Sequence, residues 1–85
     1  MLKIEVLGPG CPKCRTLEKN VRAAVEEMGL EAEILKVEAI KDIAARKVLM
    51  TPGLAVDGET VSTGHLLSPR QVRKILEERV GSGAG

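Results

Sequence analysis

The chain of 85 residues contains no Phe, Tyr or Trp, so its core must be built from Leu, Ile, Val, Ala and Met. Without aromatic rings it offers no platform on which nucleic-acid bases could stack. A strong excess of positive charge is also missing, since 13 Lys and Arg stand against 12 Asp and Glu. A basic surface that would hold nucleic acid is therefore not expected. The 44% of apolar residues predicts one small globular domain.

Long apolar runs are absent as well. The apolar stretches fall far below the roughly 18 residues that a membrane-spanning helix needs, and residues 1–10 lack the pattern of a signal peptide. We therefore expect a cytosolic protein that does not bind membranes. Side-chain amides are limited to Asn20 and Gln71, and few amides among many charges are typical of heat-adapted proteins.

Hydrophobic periodicity predicts four strands and three helices in the order β-α-β-α-β-β-α, which is an α/β fold. The predicted segments are strands at 2–6, 31–37, 54–56 and 60–63, and helices at 12–28, 38–49 and 68–80. Asp57-Gly58 is a type I′ hairpin signal, and Ser68 with Gln71 forms a capping box. We expect the domain to cover residues 1–80 and the glycine-rich residues 81–85 to form a flexible tail.

The two cysteines, Cys11 and Cys14, lie three positions apart where the first strand leads into the first helix. Thiol–disulfide exchange needs a thiolate that attacks and a second thiol that resolves the mixed disulfide. A helix N-terminus favours the thiolate. We therefore assign Cys11 as the nucleophile and Cys14 as the resolving thiol. Pro12 stiffens the intervening dipeptide, and Lys13 adds a cation beside the sulfurs.

The same cysteine pair could instead bind a metal. A CxxC segment supplies two of the four ligands of a structural zinc site, and two thiolates are enough for copper(I). His65 is the only further soft ligand, and we expect it in a loop at the far edge of the sheet. Small copper-chaperone domains run β-α-β-β-α-β, whereas this chain has its hairpin late and ends on a helix. A copper(I) or zinc thiolate carrier is the alternative function.

Three further residues near the cysteines have candidate roles. Glu5 lies six positions before the first cysteine, and a carboxylate beneath a dithiol could shuttle the proton of the resolving thiol. The favoured interpretation is an exposed side chain paired with Lys3 or Lys36, because exposed pairs are common. We expect Gly8 and Gly10 to let the chain turn tightly beside the sulfurs.

The segments GPGCPKC (residues 8–14) and TPGLAVDGE (residues 51–59), with this element order, resemble the thioredoxin superfamily. Over residues 1–80 the chain looks like the small thioredoxin/glutaredoxin-like redox-active disulfide proteins of archaea and bacteria. The resemblance implies a four-stranded mixed sheet with helices on both faces. It also implies dithiol–disulfide exchange through Cys11 and Cys14, with no organic cofactor and no metal.

The resemblance further implies that Pro52 is a cis-proline facing the sulfurs, so we predict a cis bond between Thr51 and Pro52. We expect Gly10, Met50, Thr51 and His65 to form a small uncharged patch that docks an extended peptide. The sequence thus predicts a monomeric protein dithiol–disulfide oxidoreductase. It would accept electrons from a reductase of the thioredoxin-reductase type and pass them to disulfides of protein partners.

Overall fold

The computed structural model describes residues 2–10, 12–48 and 50–84, the last five by their backbone alone. The predicted β-α-β-α-β-β-α order is confirmed. The strands are β1 (Leu2–Leu7), β2 (Ala32–Val37), β3 (Gly53–Val56) and β4 (Glu59–Thr63). The helices are α1 (Pro12–Met28), α2 (Ile40–Ala45) and α3 (Pro69–Ala84). None of the helices that the structure describes combines the length and apolar character needed to cross a bilayer.

The four strands form one mixed sheet in the order β2-β1-β3-β4. Strand β1 runs parallel to β2 and antiparallel to β3, and β3 runs antiparallel to β4. Because β1 and β2 are parallel, their carboxyl ends lie at the same edge of the sheet. Leu7 is paired with Val37, and the Gly8 N–H donates to the Val37 carbonyl at 2.9 Å. The residues that follow β1 and β2 are therefore neighbours.

Alternate side chains of β1 point to opposite faces of the sheet and divide the core in two. Ile4 and Val6 pack in the larger cluster, which includes buried residues of α1 and α3. Leu7 packs in the smaller cluster with Ile43 of α2 and with Ala55. Helices α1 and α3 thus cover one face and α2 covers the other, which confirms the predicted layering.

The predicted local signals are confirmed at the hairpin and at the start of α3. Asp57 and Gly58 have φ angles of 51° and 86°, as a type I′ turn requires. The Gln71 N–H donates to Ser68 Oγ at 3.2 Å, and the Ser68 N–H donates to Gln71 Oε1 at 2.9 Å. These two bonds form the capping box that satisfies otherwise unpaired N–H groups at the helix start.

Helix α3 runs to Ala84 and so passes its predicted end at residue 80. The extent of the domain, residues 1–80, and the flexibility of residues 81–85 stay predictions.

The expectation that Glu5 is exposed and paired with Lys3 or Lys36 is wrong. Glu5 is 3% exposed, and its carboxylate accepts a hydrogen bond from the Arg46 guanidinium. Arg46 directly follows α2, so it approaches β1 from the face that Glu5 occupies. The hydrogen bond to Glu5 raises the pKa of Arg46 above its usual value. Such a partner is what makes the burial of a carboxylate tolerable.

Candidate active site

The first turn of α1 carries three residues of the predicted site, Pro12, Lys13 and Cys14. Cys11 lies outside the described residues. Pro12 is the first residue of α1, and both Pro12 and Lys13 are exposed. Cys14 is 5% exposed, which confirms that the helix shields the second cysteine. This turn contains no acidic residue, so no carboxylate within it opposes the positive end of the helix dipole.

Gly8 lies directly against the sulfur of Cys14. A Cβ added to Gly8 would lie 2.1 Å from Cys14 Sγ and 3.2 Å from Cys14 Cβ. Only a residue without a side chain leaves room for the sulfur here, so the expected close turn at Gly8 is confirmed. Gly10 has a different reason to be glycine, since its φ of 83° lies in the left-handed region.

The segment before β3 reaches the same place. The peptide bond between Thr51 and Pro52 is cis, as predicted. Pro52 is buried and Thr51 is exposed. The Cβ built on Gly8 lies 3.7 Å from Thr51 Cβ, so Thr51 neighbours the glycine that contacts Cys14. Contact of the Pro52 ring with both sulfurs stays a prediction.

A cluster of apolar and uncharged residues is assembled around this segment. The Gly64 N–H donates to the carbonyls of Met50 at 3.0 Å and of Pro52 at 2.9 Å, which fastens the loop after β4 to the segment before β3. Met50 is 66% exposed and Leu66 is 43% exposed. His65 is exposed directly after this loop glycine, and it lines a pocket along the edge strand β4, which agrees with the loop expected at the far edge of the sheet. We name this surface the docking flank: Met50, Thr51, Gly64, His65 and Leu66.

A pocket of about 90 Å³ lies on the other side of Cys14, between α1 and the ends of β1 and β2. We name its charged lining the polar flank: Arg15, Glu18, Lys36 and Glu38. The rest of the lining is Val6, Gly8, Gly10 and Cys14.

Glu18 organises the charges on one wall of this pocket. Its carboxylate pairs with Lys36 Nζ at 3.2 Å and accepts hydrogen bonds from the Arg22 guanidinium at 3.0 and 3.1 Å. The predicted pair of Glu18 with Arg22 is therefore confirmed. Partial burial raises the pKa of Glu18, but the hydrogen bonds from Arg22 and Lys36 outweigh it and hold that pKa below 4.5.

Glu38, which lines the same pocket as Cys14, was missed by the sequence analysis. A Cβ added to Gly10 would lie 3.1 Å from Glu38 Oε2, so this carboxylate lies beside the turn that leads into the CxxC segment. Glu38 directly follows β2. A strand–helix–strand unit with two parallel strands brings the residues after both strands together. That topological rule could have identified Glu38 from the sequence.

Residues 2–77 match the Thioredoxin domain family. The chain belongs to this family. A thioredoxin of Methanothermobacter thermautotrophicus is 43% identical over 76 residues, which covers 89% of this chain and 99% of the relative. A thioredoxin of Methanocaldococcus jannaschii is 42% identical over 77 residues, which covers 91% of this chain and 88% of the relative.

Membership confirms the resemblance on which the fold and activity were predicted. The mixed sheet with helices on both faces is the thioredoxin-like fold, and the activity is thiol–disulfide oxidoreduction of the thioredoxin type. The roles of the individual site residues stay predictions. Within the described part of the chain, which leaves out Cys11, no group of three or more His, Cys, Asp and Glu is placed to hold a metal ion.

Proposed function

We propose that the chain is a protein dithiol–disulfide oxidoreductase in which Cys11 attacks the partner's disulfide and Cys14 resolves the mixed disulfide. One observation carries the assignment: Cys14 is buried in the first turn of α1 with its sulfur against Gly8, three residues after Cys11. A buried thiol is poorly placed to meet a partner from solution. Its natural target is the thiol that lies three positions earlier in the chain.

The proposed reaction moves two electrons from the dithiol to the partner. The Cys11 thiolate attacks one sulfur of the partner's disulfide, and the other sulfur leaves as a thiolate that takes up a proton. The Cys14 thiolate then attacks Cys11 Sγ and forms the Cys11–Cys14 disulfide. The bond between Cys11 and the partner breaks, and the second partner thiol is released. A thioredoxin-reductase-type donor returns two electrons to the disulfide and completes the cycle.

The surroundings of the helix start favour the first step. Free N–H groups and the positive end of the α1 dipole stabilise a thiolate at this position. Lys13 is exposed in the same turn, and its ammonium adds to the positive potential there. This favours Cys11 as the more acidic and more reactive thiol of the pair.

The docking flank fits a protein substrate better than a small charged one. Met50 and Leu66 expose apolar side chains, and the uncharged side chains of Thr51 and His65 are exposed next to them in the sequence. An extended segment of a partner can bury apolar side chains against this surface while its disulfide lies over the helix start. The monomeric state, the cytosolic location and the reductase stay predictions.

Reduction of insulin by the chain, recycled by dithiothreitol, tests the proposal. We expect Cys11→Ser to abolish the stimulated reduction and Cys14→Ser to accumulate a mixed disulfide with the insulin chain, visible by mass spectrometry without reductant. Alkylation of the reduced protein near neutral pH should label Cys11 before Cys14. An active Cys11→Ser variant, or a Cys14→Ser variant that traps nothing, would contradict the assignment. A protein isolated with copper or zinc on both sulfurs and inert toward insulin would favour the metal carrier.

A further inference from the structure

The resolving step of the proposed exchange requires that Cys14 lose its proton, because only the thiolate attacks. Cys14 is 5% exposed, so bulk water reaches its sulfur only through local openings. The pocket of about 90 Å³ is such an opening, since Cys14 forms part of its wall. A site of this size has room for water, which needs only about 10–15 Å³ on the same measure.

Three carboxylates are candidates for the proton acceptor, Glu18, Glu5 and Glu38, and the structure separates them. Glu18 lines the pocket, but Arg22 and Lys36 pair with its carboxylate and lower its pKa, which makes it a poor acceptor.

Glu5 does not line the pocket, whereas its neighbour Val6 does. Because successive strand residues point to opposite faces, the sheet lies between the Glu5 side chain and the pocket. The Glu5 carboxylate is also bound to Arg46, and accepting a proton would disrupt that ion pair.

Glu38 has the geometry that Glu5 lacks. Glu38 lines the same pocket as Cys14, and its Oε2 would lie 3.1 Å from a Cβ added to Gly10, which lines the pocket too. Glu38 is exposed, so a proton that it accepts can pass on to solvent. The carboxylate thus stands where the pocket that reaches Cys14 opens to water.

The charges facing this pocket come from two elements besides Glu38. Arg15 and Glu18 face it from α1, and Lys36 faces it from β2, while the residues of the β1 end that line it carry no charge. The Lys36 ammonium is paired with Glu18 at 3.2 Å. The lining has two cations and two carboxylates, so its formal charges cancel. The ion pair described within it joins Lys36 to Glu18 and does not involve Glu38.

We propose that Glu38 accepts the proton of Cys14 through water in this pocket when Cys14 resolves the mixed disulfide. This inference rests on the proposed function. The S–H bond of Cys14 breaks as its sulfur bonds to Cys11 Sγ, the bond between Cys11 and the partner breaks, and the partner thiolate leaves. The proton passes through water to Glu38 and then to solvent or the leaving thiolate. Because Glu38 acts through water, it is a positioning residue and not a catalytic one.

The two steps can be timed separately with 5,5′-dithiobis-(2-nitrobenzoate) as the disulfide. Attack by Cys11 releases one coloured thiolate, and resolution by Cys14 releases a second, so a stopped-flow trace has two phases. We expect Glu38→Gln to leave the first phase unchanged and to slow the second about 10-fold to 100-fold near neutral pH, at or just below the usual range for general-base catalysis. The rate–pH profile of the second phase should move to higher pH, and Glu38→Asp should restore part of the rate.

Glu33→Gln is the matched control, because Glu33 is exposed on the same strand that precedes Glu38, and it should change neither phase. A second phase in Glu38→Gln that matches or exceeds the wild-type rate across the pH range would overturn the inference. A faster phase would mean that the carboxylate only disfavours the thiolate. Slowing by Glu5→Gln but not by Glu38→Gln would also overturn it. Wild-type protein without a first phase would instead contradict the proposed function.

Discussion

The two sides of Cys14 differ in chemistry although they lie at one edge of one sheet. The docking flank exposes Met50 and Leu66 and carries no carboxylate, whereas the polar flank gathers two carboxylates and two cations around a small pocket. An apolar surface favours burial of a partner's side chains. A charged, hydrated pocket favours proton transfer. In the mechanism that we propose, substrate docking and proton transfer therefore take place on separate sides of the same thiol.

Strand direction explains why each flank has its own composition. Beside β1 on one side runs the parallel strand β2, so the residues that follow it, including Glu38, reach the active-site edge. On the other side runs the antiparallel strand β3, so the residues that precede it, Met50 and Thr51, reach that edge. Strand β4 is antiparallel to β3 and brings in residues 64–66 that follow it. The two flanks are therefore built from different segments of the chain.

Among the substitutions that test the difference between the two flanks, we expect the largest effect from a change at Gly8, the residue between them. In Gly8→Ala the added methyl group would lie 2.1 Å from Cys14 Sγ, so the sulfur or the backbone must move. We expect a loss of about 1–3 kcal/mol in the free energy of unfolding, as for other overpacked cores. Resolution by Cys14 should slow as well, because its sulfur is displaced. Urea denaturation and the two-phase exchange assay measure these effects.

A double-mutant cycle with Cys14→Ala isolates the cause. Without the sulfur, the added methyl group is left with contacts at 3.2 Å to Cys14 Cβ and 3.7 Å to Thr51 Cβ. The cost of Gly8→Ala in unfolding free energy should then fall by at least about 0.5 kcal/mol, the coupling expected of residues in contact. An unchanged cost in the Cys14→Ala background would show that the sulfur is not what Gly8 accommodates.

Local sequence signals predicted the framework of the site well. The hairpin at Asp57-Gly58, the capping box at Ser68 and the close turn at Gly8 each depend on residues a few positions apart, and all three are confirmed. Such signals act through the conformation of one short segment. They can be interpreted without knowing which distant segments are in contact in the fold.

The predictions that were wrong or missing depend on which segments pack against each other in the folded protein. Glu5 was expected to be exposed because its strand alternates apolar and polar residues, but α2 covers that face and brings Arg46 to it. Glu38 was missed because its importance comes from the parallel pairing of β1 with β2. Periodicity within one element does not identify what packs against it.

An intermediate effect is expected from placing a charge on the docking flank. Met50→Glu should lower kcat/KM for a protein disulfide about 10-fold, or about 1.4 kcal/mol, because it removes an apolar contact at the centre of the proposed interface and buries a charge there. The reaction with a small disulfide should change little, because it needs no extended contact. The matched control is Ile40→Glu, since Ile40 is 76% exposed but lies at the start of α2. Equal losses in both variants would contradict a docking role confined to residues 50–51 and 64–66.

The smallest effect concerns the charge network of the polar flank and its dependence on pH. Since Arg22 and Lys36 hold the pKa of Glu18 below 4.5, the folded protein favours the ionised carboxylate more than the unfolded chain does. This stability is fully present at neutral pH and is lost as pH falls below 4.5 and through the lowered value. Both cations are more than half exposed, so screening limits the contribution to about 0.5 kcal/mol.

Urea denaturation should show Glu18→Gln less stable than wild type by that amount near neutral pH, with the difference vanishing in acid and shrinking in high salt. Glu26→Gln, an exposed position on the same helix, should show no such pH dependence. A difference between wild type and Glu18→Gln that persists in acid would mean that Glu18 stabilises the fold by packing instead of by its charge.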